Sequence, residues 1–263
     1  MEVDGVDRVD LVDVVDLVDL VDWLSLIMIA VSFALPEESK GVVRALEGAR
    51  RSGPAALPVI AGRLGGKEVI VVHSGMGRDS ASARVGACLE EHAPSHWIAC
   101  GFGGGLDPEL RVGEIVVVRN YSEPGLLAAI ASLPARRGDL VTTGEVIETA
   151  AQKRDLARRT GAMVVDMETA AIAPLCGARG IPMLAVRAIS DTASEDLPVR
   201  AAVWFDMVAQ RPRALALVLY LAAHPGRIGP FARFVRGVHL AGGRLTAFLL
   251  AALERLPAAG EGT

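Results

Sequence analysis

The run from Ile181 to Ile189, IPMLAVRAI, constrains this chain more than any other stretch. It is mostly apolar with β-branched residues, the pattern of a parallel strand buried on both faces. Such a strand demands covering helices, so it predicts an α/β fold. The strand closes on Asp191, and upstream Asp166 to Glu168 open a helix. In open α/β sheets small ligands bind outside the carboxyl ends of strands. Asp191 therefore stands where chemistry is usually found, and Glu168 can face it from a neighbouring helix start. Each carboxylate also has an ordinary explanation. The helix macrodipole favours an acid in a first turn, and Asp after Ser is a common turn former.

At 263 residues with 51% hydrophobic content, the chain can bury a sizeable core. Cys88, Cys100 and Cys176 are far apart and form no CxxC, which predicts reduced thiols in a cytoplasmic protein without a cysteine zinc site. The formal charge of −4 misleads. Setting aside Arg8 and the eight acids of residues 1–27, from totals of 27 basic and 31 acidic residues, leaves a body near +3 and no case for nucleic acid. Residues 1–27 repeat Val-Asp at a spacing of three, from Val3-Asp4 to Val21-Asp22. Period three builds neither a helical nor a strand face, and the like charges repel, so disorder or a loose helix is expected. This acidic segment is also a poor signal peptide.

Met28 to Phe33 predicts the first strand, followed by a helix over 37–50 started by Pro36 and the glutamates Glu37 and Glu38. Strands are expected near Leu57 to Ala61 and Val69 to His73. The second enters HSGMGRDSASA, where two glycines precede a helix from about Asp79 to Glu91. Free backbone N–H groups at such a helix start can hold an anion. A third glycine is missing where Ser80 stands, which rejects nicotinamide binding, and Val72 rules out a nucleophile elbow around Ser74. His92 and His96 read as surface residues of a polar loop, not metal ligands. Trp97 to Cys100 is a strand entering the glycines of GFGGG, Gly101 to Gly105, which suit close backbone approach. Further elements are a strand over Gly113 to Val118, a helix over Glu123 to Arg137, a strand over Leu140 to Thr143 and a helix over Ile147 to Thr160.

Four ordered strings, SGMGRDSASA, GFGGGLDPELRVGEIVVV, VVDMETAAIA and VRAISDTA, resemble the nucleoside phosphorylase superfamily. They resemble most its 5′-methylthioadenosine/S-adenosylhomocysteine nucleosidase branch. The likeness covers about Met28 to Ala193. It implies a single-domain three-layer α/β/α fold with a twisted mixed, partly closed sheet. It also implies cleavage of a purine–ribose bond through a sugar of oxocarbenium character, with no cofactor and no metal. By that resemblance Asp191 is the acid that protonates N7, held protonated by partial burial and a hydrogen-bonded neighbour. Glu168 grips ribose hydroxyls, Met167 lies beneath the sugar, and Glu38 activates water. Ser74, Gly75, Gly103 and Ser190 complete the substrate site.

Two departures bear on the reaction. Ala99 stands where purine phosphorylases of bacteria carry a phosphate-binding arginine, which favours water, while Arg78 keeps inorganic phosphate as a candidate partner. Ile147 stands where the nucleosidases stack an aromatic ring, so it packs on a purine without the π contribution. Beyond Asp191 two helical pieces, Pro198 to Val208 and Pro212 to Ala223, are expected, then a segment mixing Arg227, Arg233, Arg236 and Arg244 with Phe231, Phe234, Val235, Leu240 and Phe248. This describes a helical cap on the sheet, a partner interface or a peripheral membrane contact. The tail also resembles that of the hopanoid-associated phosphorylases, which act on a lipid-linked adenosine. The expected organisation is a repeat over 1–27, a catalytic domain over 28–197 and a helical extension over 198–263, assembled as a homo-oligomer. Nucleosidase, phosphorylase and non-catalytic nucleoside-binding or membrane-peripheral protein all stand as readings. Both carboxylates favour the enzymes.

Overall fold

The computed structural model describes residues 28–53 and 57–256. The Val-Asp repeat and the disorder expected of it lie outside the described residues. In chain order the elements are β1 (Met28–Phe33), α1 (Pro36–Ala45), β2 (Glu47–Ser52), β3 (Val59–Leu64), β4 (Lys67–His73), α2 (Arg78–Glu91), β5 (His96–Gly105) and β6 (Ile115–Val118). There follow α3 (Pro124–Ala129), β7 (Arg136–Gly138), β8 (Leu140–Thr142), α4 (Ala150–Thr160), β9 (Val164–Asp166), α5 (Thr169–Gly177) and β10 (Met183–Asp191). The chain continues through α6 (Ala201–Trp204), a short hairpin of β11 (Phe205–Asp206) and β12 (Arg211–Pro212), α7 (Ala214–Ala223) and α8 (Ile228–Arg255).

Ten strands form one mixed sheet in the order β2-β3-β4-β1-β5-β10-β6-β7, with β9 pairing both β5 and β8. Its centre, β4, β1, β5 and β10, is parallel throughout. The expected α/β/α layering follows from period-two alternation along these strands. Ile29, Val31 and Phe33 of β1, with Ile98 and Val186, face α1, α3 and α8. Ala30, Ile70, Val72, Trp97 and Ala185 face α2 and α5 on the other side. The indole of Trp97, fully buried, satisfies its N–H on Ser32 Oγ at 2.9 Å. Cys88, Cys100 and Cys176 are free and buried, and burial pushes the Cys88 and Cys176 thiols up to about 12, so they behave as small apolar groups.

Several local expectations are corrected. The helix predicted over 37–50 stops at Ala45, because Leu46 turns extended and Gly48 takes φ +63°, and Glu47–Ser52 become an exposed edge strand instead. The helix predicted over Glu123 to Arg137 lasts only to Ala129. Pro134, which lacks an N–H, precedes a strand parallel to β6. The glycines of GFGGG continue β5 to Gly105. A Cβ at Gly103 would lie 2.6 Å from Val164 Cγ2, so glycine there admits β9 against β5. His96 is buried at the start of β5, its Nδ1 2.9 Å from Ser95 Oγ, and is not a surface residue.

The last helix works in two halves. Ala241, Leu245, Phe248, Leu249, Ala252 and Leu253 recur at helical spacing and enter the same core as β1 and β10. Gly41 of α1 permits that approach, since a Cβ there would clash with Thr246 Oγ1 at 2.1 Å. Lys67 Nζ ties the end of α8, donating to the carbonyls of Leu253 and, at 2.8 Å, Leu256. The first half projects beyond the sheet and walls the cavity described next.

Candidate active site

The carboxyl ends of β1, β5 and β10 open into a cavity of about 440 Å³. Glu38, Glu168 and Asp191 all line it, together with Met167, Ile147, Gly103 and Ser190. Its position matches the general rule for open α/β sheets. Its other wall is apolar and comes from the C-terminal region: Leu197, Trp204, Leu217, Phe231, Phe234 and Val238.

Glu38 and not Glu37 is the buried member of its pair. It sits in the first turn of α1, where its Oε2 accepts the Leu35 N–H at 2.9 Å, the reach-back of a capping box. Its Oε1 accepts the Phe102 N–H, also at 2.9 Å. Burial raises the Glu38 carboxyl above its ordinary value, against the lowering effect of those two amides and of Arg187. A raised carboxyl is a stronger base once ionised.

Glu168 is positioned by a buried ion pair. Arg187, alone among apolar neighbours on β10, places Nη2 2.6 Å from Asp166 Oδ2, with both side chains almost wholly buried. The same guanidinium donates to Thr169 Oγ1 at 2.6 Å and to the Ala99 carbonyl at 2.7 Å. Asp166 also accepts from Thr142 Oγ1 at 2.6 Å and from the Thr169 N–H at 3.0 Å. The turn between β9 and α5 is thereby locked, and Glu168 at its N-cap extends Oε1 to the Gly77 N–H at 2.7 Å. Burial, then the nearby Asp166 charge, push Glu168 up to about 8, with Gly77 and Arg187 opposing. Glu38, Asp166 and Glu168 thus share one guanidinium.

The glycine loop before α2 already has its anion, supplied from within the chain. The Ser74 and Gly75 N–H groups bond the Phe33 and Ala34 carbonyls at 2.8 and 3.1 Å. The Met76 N–H bonds Gln210 Oε1 at 2.8 Å, and the Gly77 N–H holds Glu168. The Ser74 hydroxyl is buried and donates to the Phe33 carbonyl at 3.2 Å. Arg78 is exposed on the first turn of α2 and does not line the cavity.

Asp191 caps β10 where the pairing register with β5 skips Ser190, a re-aiming device often found beside active sites. The Ser190 hydroxyl donates to Asp191 Oδ1 at 2.6 Å, and Lys153 Nζ of α4 lies 2.5 Å from Oδ2. The sequence reading expects partial burial and a hydrogen-bonded neighbour for this acid, and Ser190 is such a neighbour. The structure adds an ammonium. Lys153, Arg187, Asp166 and Gln210 are the site residues that sequence reasoning missed. Two had a signal: a lone charge inside an apolar strand, and a lysine on the buried stripe of α4 with Ala150 and Leu156, both need a partner. No group of His, Cys, Asp and Glu that could hold a metal occurs among the described residues.

Because Glu168 binds its proton more tightly in the folded chain than in the unfolded one, it contributes stability that is fully present below the ordinary value of 4.5 and lost as pH rises through about 8. The melting temperature should fall across that window, and Glu168→Gln should flatten the fall. Equal slopes for the two proteins would contradict the burial of this carboxylate.

A family model described as the phosphorylase superfamily matches residues 28–125 and 118–222. A 5′-methylthioadenosine/S-adenosylhomocysteine nucleosidase of Shewanella halifaxensis is 29% identical over 204 residues, 65% of this chain and 89% of the relative. One from Tolumonas auensis is 30% identical over 60% of this chain and 83% of its own length. Among solved structures, the nucleosidase of that name from S. pneumoniae, bound to a transition-state inhibitor, superposes with a TM-score of 0.67 at 20% identity, covering 88% of this chain and 100% of its own. A futalosine hydrolase of Helicobacter pylori gives the same TM-score at 15% identity, again over 88% and 100%. With the fold shared and the family model spanning most of the chain, this protein belongs to the phosphorylase superfamily.

Proposed function

We propose that this chain cleaves the N-glycosidic bond of a 5′-substituted adenosine by hydrolysis and releases adenine. The observation that carries this reading is that Asp191, Glu168 and Glu38 line one cavity of a size suited to a nucleoside. In the reaction Asp191 gives its proton to N7, and the N9–C1′ bonding pair leaves with the base as neutral adenine. Water attacks C1′ and passes its proton to Glu38, while Glu168 accepts hydrogen bonds from the ribose hydroxyls. Met167 supports the sugar, Ile147 packs on the purine, and Gly103 lines the cavity beside Ser190.

Water is favoured over phosphate. All four amides from Ser74 to Gly77 are already engaged, and Arg78 is exposed and does not line the cavity. The Shewanella halifaxensis and Tolumonas auensis relatives are by name nucleosidases of 5′-methylthioadenosine and S-adenosylhomocysteine, which agrees. The apolar wall of Trp204, Leu217, Phe231 and Phe234 suits an apolar 5′ substituent, up to a lipid-linked one.

A second reading concerns where the enzyme works. No helix among the described residues is long and apolar enough to cross a membrane. Yet α7 is apolar throughout and buries no residue, with Leu215 71%, Val218 61% and Leu219 62% exposed. Between Asp206 and Glu254 there is no acidic residue, while Arg211, Arg213, Arg227, Arg233, Arg236 and Arg244 all fall there. Exposed apolar side chains flanked by arginine alone are complementary to an anionic bilayer surface. The same helices wall the cavity, so a bilayer-bound enzyme would present its apolar wall to that surface.

Two measurements follow. Incubation with adenosines bearing methylthio, homocysteinyl and long alkyl 5′ groups, with and without phosphate, should release adenine and the free sugar in both conditions. A sugar 1-phosphate formed only with phosphate would identify a phosphorylase, and no release from any substrate would sink the enzyme reading. In sedimentation with vesicles, the protein should pellet with phosphatidylserine-containing and not pure phosphatidylcholine membranes, and Leu215→Glu with Leu219→Glu should release it. Equal pelleting by both double mutant and wild type, or an apolar face that instead holds two copies together in solution, would overturn the membrane reading.

A further inference from the structure

Lys153 is a buried charge that the chemistry above leaves unused. It has no exposed surface and lies on the inner stripe of α4 with Ala150 and Leu156. Its Nζ stands 2.5 Å from Asp191 Oδ2 and donates to the carbonyls of Thr192 at 2.7 Å and Glu195 at 2.9 Å. An ammonium has three N–H donors, and all three find acceptors within residues 191–195. The other acids nearby have partners of their own. Glu195 Oε2 accepts from Thr192 Oγ1 at 2.9 Å, Asp196 Oδ1 from the Ala150 N–H at 2.8 Å, and Glu148 pairs with Arg200 at 3.1 Å. Asp191 is therefore the counter-ion of Lys153. Burying an ammonium is costly even when paired, and an apolar residue would fill this stripe without that cost.

We propose that Lys153 is the positioning residue of the acid: it fixes the Asp191 carboxyl group at the cavity wall and stabilises the carboxylate left there when the proton passes to the leaving purine. This rests on the N-glycosidic reading and deepens it. As the proton moves from Asp191 to N7, negative charge grows on a carboxyl group that already faces an ammonium. The attraction strengthens as the bond breaks, so it favours the transition state over the bound substrate. With the Ser190 hydroxyl on Oδ1 and Lys153 on Oδ2, both oxygens are held, and the carboxyl plane is fixed.

The test compares 5′-methylthioadenosine with its N7-methylated form, whose base already carries the positive charge and needs no proton. Lys153→Gln keeps amide donors for the loop but removes the charge. It should lower kcat on the unmethylated substrate by on the order of 10²-fold, leave KM nearly unchanged, and spare the N7-methylated substrate. Equal slowing on both substrates would mean that Lys153 serves the fold alone, and no slowing would mean that it serves neither; each overturns the proposal. Should that variant not fold, Lys153→Arg carries the same comparison, because the longer guanidinium displaces the carboxyl group, and equal slowing again overturns it. Wild-type protein that releases base from neither substrate would defeat the N-glycosidic reading itself.

Discussion

The buried ion pair of Arg187 with Asp166 holds the candidate site in shape. Two charges this deep recover their desolvation only when every donor and acceptor is used. Here the guanidinium bonds Asp166, Thr169 and two strand carbonyls, so it joins β10, β9, α5 and β5 at one point. Removing one partner of such a pair typically costs about 3–5 kcal/mol. The pair stabilises the fold less than it specifies it, because it decides where the β9–α5 turn sits. Glu168 lies two residues beyond Asp166 and inherits its place from that turn. The Gly77 amide then receives Glu168, so the glycine loop that could hold an external anion is closed by an internal one.

The same economy shapes the rest of the cavity. A run of glycine in β5 allows β9 to approach it closely; a Cβ at Gly104 would stand 3.1 Å from Val165 Cγ1. The parallel centre of the sheet sends four carboxyl ends in one direction, and each leads to an acid of the cavity or to an amide that holds one. The final helix completes the enclosure. Its second half is core and its first half is cavity wall, so the apolar end of the site is anchored by the same residues that stabilise the sheet.

Much of this was legible in the sequence because it followed periodicity. β1, the β4–α2 unit and β10 were read nearly to the residue, since each is an apolar run bounded by turn chemistry. The edges were not. Glu47–Ser52 are wholly exposed, so no buried pattern marks them as a strand, and the short β7 depends on pairing with β6. Glu38, Glu168 and Asp191 are legible through the family motifs and the strand-end rule as candidates, and the structure brings all three to one cavity, where burial distinguishes Glu38 from Glu37. What escaped were the groups that act on those carboxylates. In the sequence Arg187 is a single charge inside an apolar strand and Lys153 one of several charges on a basic helix, and neither names its partner. Their partners lie 21 and 38 residues away in the chain, and only the folded topology brings them within bonding distance.

At the centre of the proposed function stands proton delivery by Asp191 to a purine whose sugar is held by Glu168. The most direct measurement is single-turnover base release by Asp191→Asn from a 5′-substituted adenosine, alongside circular dichroism to establish that the variant is folded. Loss of about 10²- to 10⁴-fold in rate is the result predicted for removal of a general acid. A folded variant that releases adenine at the wild-type rate would contradict it.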